Sequence, residues 1–448
     1  MKEYDLFVIG TGMAGVTIAT KCAKKGLKVG IADYRPYGGT CALRGCDPKK
    51  ILLDVAKAKK EIDTYKGKGL KGKGSISWPE LVKFMRGFTD PMPEKMENSY
   101  QEAGIDTYHE AAIFTGENTL QVGNTTIKAA KIVIATGARP RTLDMPGAEF
   151  TLVSDELFQL DELPESITFL GGGYVAFEFA HLMALAGVKV TILDRGERPL
   201  KHFEEELVQH VVEASKALGI KIMPRTEAVE VQKSGDKLRV IARTEQGEET
   251  IESQRVVNAV GRVPEIDRLD LEKGQIAFGE KGIQVNEYLQ STTNPNVYAA
   301  GDVAESEGLP LTPVAVNEGH AVAANILKGN HKAPAYIEMP TVVFTIPEIA
   351  RVGLSEAKAR EQNIAYKVKS GDGAGWYNAY RSQADAYAYK VIISKDESTI
   401  LGAHLVGPAA GETINLFAMA IKGKLTAKDL KSMMYSYPSW ASDLGHMV

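Results

Sequence analysis

Cysteine is scarce in this chain, with three residues in 448: Cys22, Cys41 and Cys46. That excludes a secreted disulfide framework and fits a reducing, cytoplasmic compartment with one special pair. Basic residues are not in excess: 53 Lys and Arg face 57 Asp and Glu, a net charge of −4. No global positive field therefore points to nucleic acid or to an anionic membrane surface. No apolar run reaches the roughly 20 residues needed to span a bilayer. The opening Met1-Lys2-Glu3-Tyr4-Asp5 leads into a strand too short for a signal-peptide core. Aromatics are few, at 7%, within an otherwise globular composition of 44% apolar and 25% charged residues. The length predicts two to four domains. Glycine is what the chain has in quantity, 43 residues, many of them in turns between strands and helices.

Two of the three cysteines share one turn-rich segment, Gly38-Gly39-Thr40-Cys41-Ala42-Leu43-Arg44-Gly45-Cys46-Asp47-Pro48-Lys49-Lys50. On a regular helix, residues five apart lie roughly 8–9 Å apart at Cα. A disulfide needs roughly 4.4–6.8 Å. The pair can bridge only across a distorted turn. Gly45 supplies backbone freedom, and Pro48 lacks an N–H just past the second cysteine. Such a turn suits a disulfide that opens and closes; the plainer alternative is two buried structural thiols. Cys22, in the middle of a helix, reads as a small buried apolar residue.

The segment Asp5–Gly10 reads as a buried strand running into Gly10-Thr11-Gly12-Met13-Ala14-Gly15 and a helix from Val16 to about Lys25. A strand from Leu27 to Ala32 follows and ends at Asp33. The plan recurs at Ser166–Leu170, Gly171-Gly172-Gly173-Tyr174-Val175-Ala176, a helix to about Ala186, and a strand from Val188 to Leu193 ending at Asp194. Each glycine loop follows a strand and opens a helix, and each has a carboxylate about 20 residues on, the context that makes this motif specific for dinucleotides. The glycines permit a tight turn and close approach of a pyrophosphate, and the helix N-terminus faces its charge. Two copies imply electron transfer between two nucleotide cofactors. Between them a helical region runs from about Lys49 to Ala103 and is broken at 66–74 by a Lys/Gly-rich run, read as a solvated loop rather than a phosphate patch. The segment 157–165 reads as a linker, and alternating segments from Lys221 to Val260 complete the second fold. From Pro340 the pattern changes to strands at 341–344 and 388–394 and a helix at 413–424, an α+β domain.

In order along nearly its whole length, the chain resembles the class I pyridine-nucleotide disulfide oxidoreductases, the family of glutathione reductase, dihydrolipoamide dehydrogenase and mercuric reductase. The resemblance rests on Gly10-x-Gly12-x-x-Gly15 with Asp33, Gly38-Gly39-Thr40-Cys41-x4-Cys46, and Ala135-Thr136-Gly137. It continues through Gly171-x-Gly173-x-x-Ala176, Ala259-Val260-Gly261-Arg262-x-Pro264 and Ala299-Ala300-Gly301-Asp302. It implies an α/β fold with two Rossmann-like dinucleotide-binding domains, for FAD and NAD(P), and a C-terminal α+β dimerisation domain. The corresponding segments are 1–148 and 261–332 for FAD, 149–260 for NAD(P), and 333–448 for the interface of a homodimer. It further implies that Cys46 lies against the flavin as the charge-transfer thiolate and that Cys41 attacks substrate. By the same resemblance Thr40 contacts FAD and Asp302 holds the ribityl chain. Lys49 matches a lysine near flavin N5, Glu178 matches its ion-pair partner, and Tyr174 matches a gate for nicotinamide, the alternative for Tyr174 being simple packing at the helix start. A helix N-terminus near Cys41 favours its thiolate.

Where these disulfide reductases carry His-Pro-Thr and then Glu, this chain has Ser436-Tyr437-Pro438-Ser439-Trp440-Ala441-Ser442-Asp443. Tyrosine, with an ordinary pKa of about 10, can donate a proton but is a poor base at neutral pH. Tyr437 serves as the acid or packs at the dimer interface, and Asp443 and His446 are the alternative groups nearby. The C-terminus lacks the cysteine pair of mercuric reductases, and no metal site is expected. Thr20 and His320 stand where arginines grip glutathione in animal enzymes. Arg44 and Asp47 replace aliphatic residues beside the cysteines and read as a local ion pair, with Arg44 facing an anionic substrate as the alternative. Asp194 suits NADH, whereas Arg195, Lys201 and Ala176 suit NADPH. The reading is an NAD(P)H-dependent FAD enzyme that passes electrons through Cys41–Cys46 to a small-molecule disulfide. The alternatives are an NAD(P)H:acceptor oxidoreductase using quinone, oxygen or a metal complex, and a non-catalytic flavoprotein.

Overall fold

The computed structural model describes all 448 residues, and the chain divides into two compact units. One unit consists of Met1–Ile51, Val82–Arg141 and Gly261–Tyr336. Its sheet has the order Asp106–Tyr108, Val29–Ala32, Lys2–Ile9, Thr125–Ile134, Thr119–Val122, Ala112–Gly116, and Val297–Ala299 also pairs with Thr125–Ile134. The first four strands run parallel, as do Val297–Ala299 and Thr125–Ile134. Side chains alternate across a strand, and the first strand shows it. Leu6 and Val8 join a core with Ile18 and Cys22 of the Met13–Ala23 helix, while Phe7 and Ile9 join a separate core with Phe114 and Leu120. Burial pushes the Cys22 thiol up to about 12, so this cysteine is an inert core residue.

The first glycine-loop helix begins at Met13 rather than Val16, because Gly12 is its N-cap and Val16 N–H already bonds to Gly12 O at 3.0 Å. The following strand begins at Val29 rather than Leu27, since Lys25, Gly26 and Leu27 turn back to bond carbonyls of Cys22 and Ala23.

The second unit consists of Leu52–Leu81, Thr142–Val260 and Ile337–Val448. It contains a five-stranded parallel sheet in the order Lys221–Met223, Lys189–Leu193, Ser166–Leu170, Arg255–Asn258, Leu152–Val153. A three-stranded antiparallel ribbon, Glu227–Ser234, Lys237–Thr244 and Gly247–Ser253, falls in the chain between the strands Lys221–Met223 and Arg255–Asn258. The C-terminal part is a five-stranded antiparallel sheet in the order Thr341–Val343, Glu348–Gly353, Ile400–Gly407, Ala388–Ser394, Tyr366–Asp372. The Ala410–Lys422 helix packs on it through Ile414 and Phe417, three residues apart on one face. This helix starts three residues earlier than the apolar run alone predicts.

Two side chains one turn apart on the Tyr174–Leu185 helix fasten this fold to the C-terminal segment. Glu178 Oε1 accepts from Phe344 N–H at 2.7 Å, and His181 Nδ1 accepts from Ile346 N–H at 3.1 Å. The loop at 66–74 is largely exposed, as expected, and Tyr65 beside it donates its hydroxyl to Arg381 O at 2.8 Å.

Candidate active site

The two cysteines do not lie on one helix. Cys41 sits in a short helix, Gly39–Arg44, and Cys46 opens a new one, Cys46–Thr64, with Gly45 between them at φ −142° and ψ −114°. A Cβ on Gly45 would stand 2.7 Å from Thr40 O, so any side chain there would push the two helical segments apart. This is the distorted turn that the spacing predicts. Both sulfurs are thiols in this structure, with Cys41 half-buried and Cys46 exposed.

Thr312, the first residue of the Thr312–Lys328 helix, donates its hydroxyl to Cys41 Sγ at 3.2 Å and lies 3.8 Å from Cys46 Sγ. The thiols share their proton unequally. The neighbouring Cys41 thiol, with help from Thr312 and the positive charge of Lys49, brings Cys46 down to about 6 against partial desolvation of its sulfur. The nearby Cys46 sulfur, with burial, pushes Cys41 well above its ordinary value. These opposite shifts favour Cys46 as the thiolate of the reduced pair. The helix N-terminus that matters most for it is that of the second helix, at Cys46 itself. Lys49 lies one turn further on and is only 8% exposed. Asp47 does not pair with Arg44: its hydrogen bond comes from Cys41 Sγ, 3.9 Å from Oδ1, and burial raises its carboxyl above the ordinary range.

In the first glycine loop, Gly10 adopts φ +107°, and a Cβ there would meet Ala135 O at 2.3 Å. A Cβ on Gly15 would meet Gly10 O at 2.1 Å. These two glycines let strand, loop and helix close on one another. Gly12 differs: a Cβ there would meet nothing within 4 Å, and this N-cap carries no side-chain hydrogen bond. The helix start thus faces open space. Asp33 Oδ2 accepts from Thr11 N–H at 2.9 Å and Thr11 Oγ1 at 2.7 Å, and its Oδ1 accepts from Arg35 N–H at 3.0 Å. Thr11 in turn accepts from Gly38 N–H at 3.3 Å, joining the loop to the cysteine segment, where Gly39 lies so close to Gly12 that its Cβ would come within 2.6 Å of Gly12 Cα. Thr136 Oγ1 donates to Glu265 O at 2.6 Å beside Ala135 and Gly137, and Arg141 N–H bonds to Gly261 O at 3.0 Å. Glu318 Oε2 accepts from Gly301 N–H at 2.6 Å. Burial raises the neighbouring Asp302 carboxyl, partly opposed by Arg262.

The second loop repeats the scheme within its own unit. A Cβ on Gly171 would meet Ala259 O at 2.5 Å, and one on Gly172 would meet Asp194 Oδ2 at 2.2 Å, while Gly173, again the N-cap, opens onto empty space. Asp194 Oδ1 accepts from Gly196 N–H at 3.0 Å. Tyr174 and Arg195 are exposed. Ala176, at the position of the third glycine, is fully buried.

The C-terminal alternatives separate clearly. Tyr437 is 74% exposed and stacks on Tyr377 at 6.2 Å. Asp443 is buried and committed, accepting from Tyr387 OH at 2.9 Å and Asn378 Nδ2 at 3.0 Å. His446 packs against Trp376 at 5.6 Å, and the last two residues, Met447 and Val448, are buried, so this terminus is anchored rather than loose.

The open, uncapped N-termini at Gly12 and Gly173 fit the pyrophosphates of two dinucleotides. Residues 4–319 match the pyridine nucleotide-disulphide oxidoreductase family, and residues 339–448 match its dimerisation domain. The chain belongs to this family. It is an NAD(P)H- and FAD-dependent disulfide oxidoreductase, and the acceptor-oxidoreductase alternative is not favoured. Glutathione reductase of Nostoc sp. is 32% identical over 98% of this chain and 98% of its own length. Mercuric reductase of Staphylococcus aureus is 30% identical over 99% of this chain and 81% of its own length. Among solved structures, the Cu(II) complex of a cysteine-to-serine variant of the HOCl-induced flavoprotein disulfide reductase RclA from Escherichia coli aligns with a TM-score of 0.89. It is 26% identical and covers 100% of this chain and 99% of that one. The dimerisation-domain match supports assembly of this oxidoreductase as a homodimer. No helix in it is long and apolar enough to cross a membrane.

Three residues at the site escaped sequence reasoning. Thr11 and Thr312 are single hydroxyls without a distinctive pattern. Glu318 carried a weak signal, as a lone carboxylate on a helix otherwise rich in small apolar residues.

Proposed function

We propose that this oxidoreductase reduces a small-molecule disulfide through the Cys41–Cys46 pair, with Cys46 as the resting thiolate and Cys41 as the attacking sulfur. The observation that carries this reading is the placement of Cys41 and Cys46 on either side of the break at Gly45, with the Thr312 hydroxyl 3.2 Å from Cys41 Sγ and 3.8 Å from Cys46 Sγ. FAD held at the first glycine loop would supply the two-electron chemistry that links NAD(P)H to the cysteine pair. In this reading Gly10, Gly12, Gly15, Asp33, Gly39, Thr40, Ala135, Thr136, Gly137, Gly261, Gly301 and Asp302 hold FAD. Gly171, Gly173, Tyr174, Asp194 and Arg195 hold the nicotinamide dinucleotide, and Lys49 and Glu178 serve the nicotinamide side. The segments 1–148 and 261–332 form the FAD-binding part, 149–260 the NAD(P)-binding part and 333–448 the interface, with Tyr437 reaching the site of the second subunit. The enzyme works in the cytoplasm. NADPH is the donor we propose, because Asp194 is folded over Gly172 and bonded to Gly196, leaving exposed Arg195 for a 2′-phosphate.

The test is NADPH and NADH oxidation with a panel of low-molecular-weight disulfides and quinones, for the native enzyme and Cys41→Ser. Disulfide turnover that Cys41→Ser abolishes is the expected result. Quinone turnover that survives Cys41→Ser, with no disulfide reduced, would sink the reading.

A further inference from the structure

A thiol held above its ordinary pKa is a poor nucleophile at neutral pH, because the thiolate is the reactive form. Cys41 is in that position, so the attacking sulfur needs a base. The C-terminal motif holds no uncommitted carboxylate for it. Tyr437 is exposed and stacked on Tyr377, Asp443 is buried against Tyr387 and Asn378, and His446 packs against Trp376.

A carboxylate does stand beside Cys41. Asp47 lies in the first turn of the Cys46–Thr64 helix, and its Oδ1 is 3.9 Å from Cys41 Sγ, within the range of a hydrogen bond from sulfur. It is half-buried, with no cation paired to it, and burial makes it a stronger base than an exposed aspartate. The other ionisable groups at the pair are Cys46 and Lys49, on the same helix as Asp47; the group facing it from the Thr312–Lys328 helix is the Thr312 hydroxyl.

We propose that Asp47 is a catalytic residue, the local proton acceptor and donor for Cys41, and this rests on the disulfide-reductase reading above. As Cys41 Sγ bonds to one sulfur of the substrate disulfide, Asp47 takes the thiol proton and the substrate S–S bond breaks. The departing thiolate takes that proton from Asp47 and leaves as a thiol. The Cys46 thiolate then attacks Cys41 Sγ of the mixed disulfide, forms the Cys41–Cys46 bond and expels the second thiolate, which water protonates. Two electrons have passed from the dithiol to the substrate.

The experiment uses holoenzyme reduced anaerobically with one equivalent of NADPH or NADH and mixed with 2-hydroxyethyl disulfide or with 5,5′-dithiobis(2-nitrobenzoate). The aryl thiolate from the second compound leaves with little need of a proton. In Asp47→Asn, reduction by the nicotinamide is unchanged and exchange with the alkyl disulfide slows about 10²-fold or more. Exchange with the aryl disulfide slows less, and the acid limb of the native pH profile disappears. The Cys41 thiol of this variant also ionises at lower pH, having lost a hydrogen-bond acceptor and a negative neighbour, so slower exchange from a more acidic thiol isolates proton transfer. Asp47→Glu retains more activity than Asp47→Leu, and this pair carries the test should Asp47→Asn fail to fold with FAD. Exchange in Asp47→Asn within about 3-fold of native, with an unchanged pH profile, would leave Asp47 as a helix N-terminal acid and overturn the assignment alone. A native enzyme that is reduced by the nicotinamide yet exchanges with neither compound overturns the disulfide reading and this assignment together.

Discussion

Tyr387 donates its phenolic hydrogen to Asp443 across 2.9 Å inside the C-terminal sheet domain. Asn378 Nδ2 reaches the same oxygen at 3.0 Å and also bonds Ser439 O at 2.9 Å. Asp443 therefore organises the segment that carries Tyr437, and does so from the interior.

Asp443→Ala leaves two buried donors without an acceptor. The expected loss is about 2–4 kcal/mol of stability. Asp443→Asn keeps an acceptor oxygen and loses less. Urea unfolding of both variants checks the order. An alanine variant as stable as the native protein would show that these bonds do not hold the segment.

His181 predicts acid sensitivity. It is fully buried, and burial lowers its pKa to about 3. Ser215 already donates to Val211 O at 2.7 Å, so His181 Nε2–H donates to Ser215 Oγ at 2.8 Å while Nδ1 accepts from Ile346. The ring is thus neutral. Its folded pKa is depressed, so its contribution is present above the unfolded value of about 6.5 and is lost as pH falls from there toward 3. Between pH 8 and pH 5 this amounts to about 2 kcal/mol. In His181→Gln that part of the pH slope disappears from urea midpoints measured across the interval.

Lys390 predicts a second, lower window. Its ammonium is buried and lies 2.9 Å from Glu204, 2.7 Å from Glu206 and 2.7 Å from Glu356. Burial alone would lower its pKa, but bonds to these three carboxylates hold it above the usual value. Lys390→Ala removes the cation beside buried Glu204 and costs about 3 kcal/mol, since Glu206 is half exposed and Glu356 keeps its bonds to Arg360 and Tyr366. Bonds to Lys390 hold Glu206, against burial, and Glu356 below the ordinary carboxylate range. Their contribution is present above about pH 4.3 and is lost as pH falls through their folded values. Thermal melts of native and Lys390→Ala proteins should therefore differ at pH 7 and converge below pH 4.

Gly15→Ala tests the first cradle. Its Cβ would enter to 2.1 Å from Gly10 O, a backbone atom that cannot swing aside. The expected outcome is purified protein with most of its FAD missing, read from the ratio of flavin to protein absorbance. A variant with full FAD content would remove the Gly10–Gly15 contact from the account.

The two nucleotide folds were legible because their signals are local. Strand, glycine loop, helix and terminal carboxylate lie within about 30 residues, and alternation of Leu6, Phe7, Val8 and Ile9 is a backbone property. Helix starts were less so: Met13 and Ala410 begin helices ahead of their apolar runs, because capping geometry sets a boundary more than hydrophobicity does. The pairing expected between Arg44 and Asp47 failed because spacing alone does not say which way a side chain turns.

By itself the sequence determined the cysteine pair, the break at Gly45 and the two glycine cradles, since short-range sterics dictate them. Only the tertiary structure decided that Thr312, 271 residues beyond Cys41, donates to its sulfur, that Asp47 faces Cys41, and that Asp443 is an interior acceptor. Contacts between distant segments depend on how whole elements pack, and no local pattern along the chain carries that information.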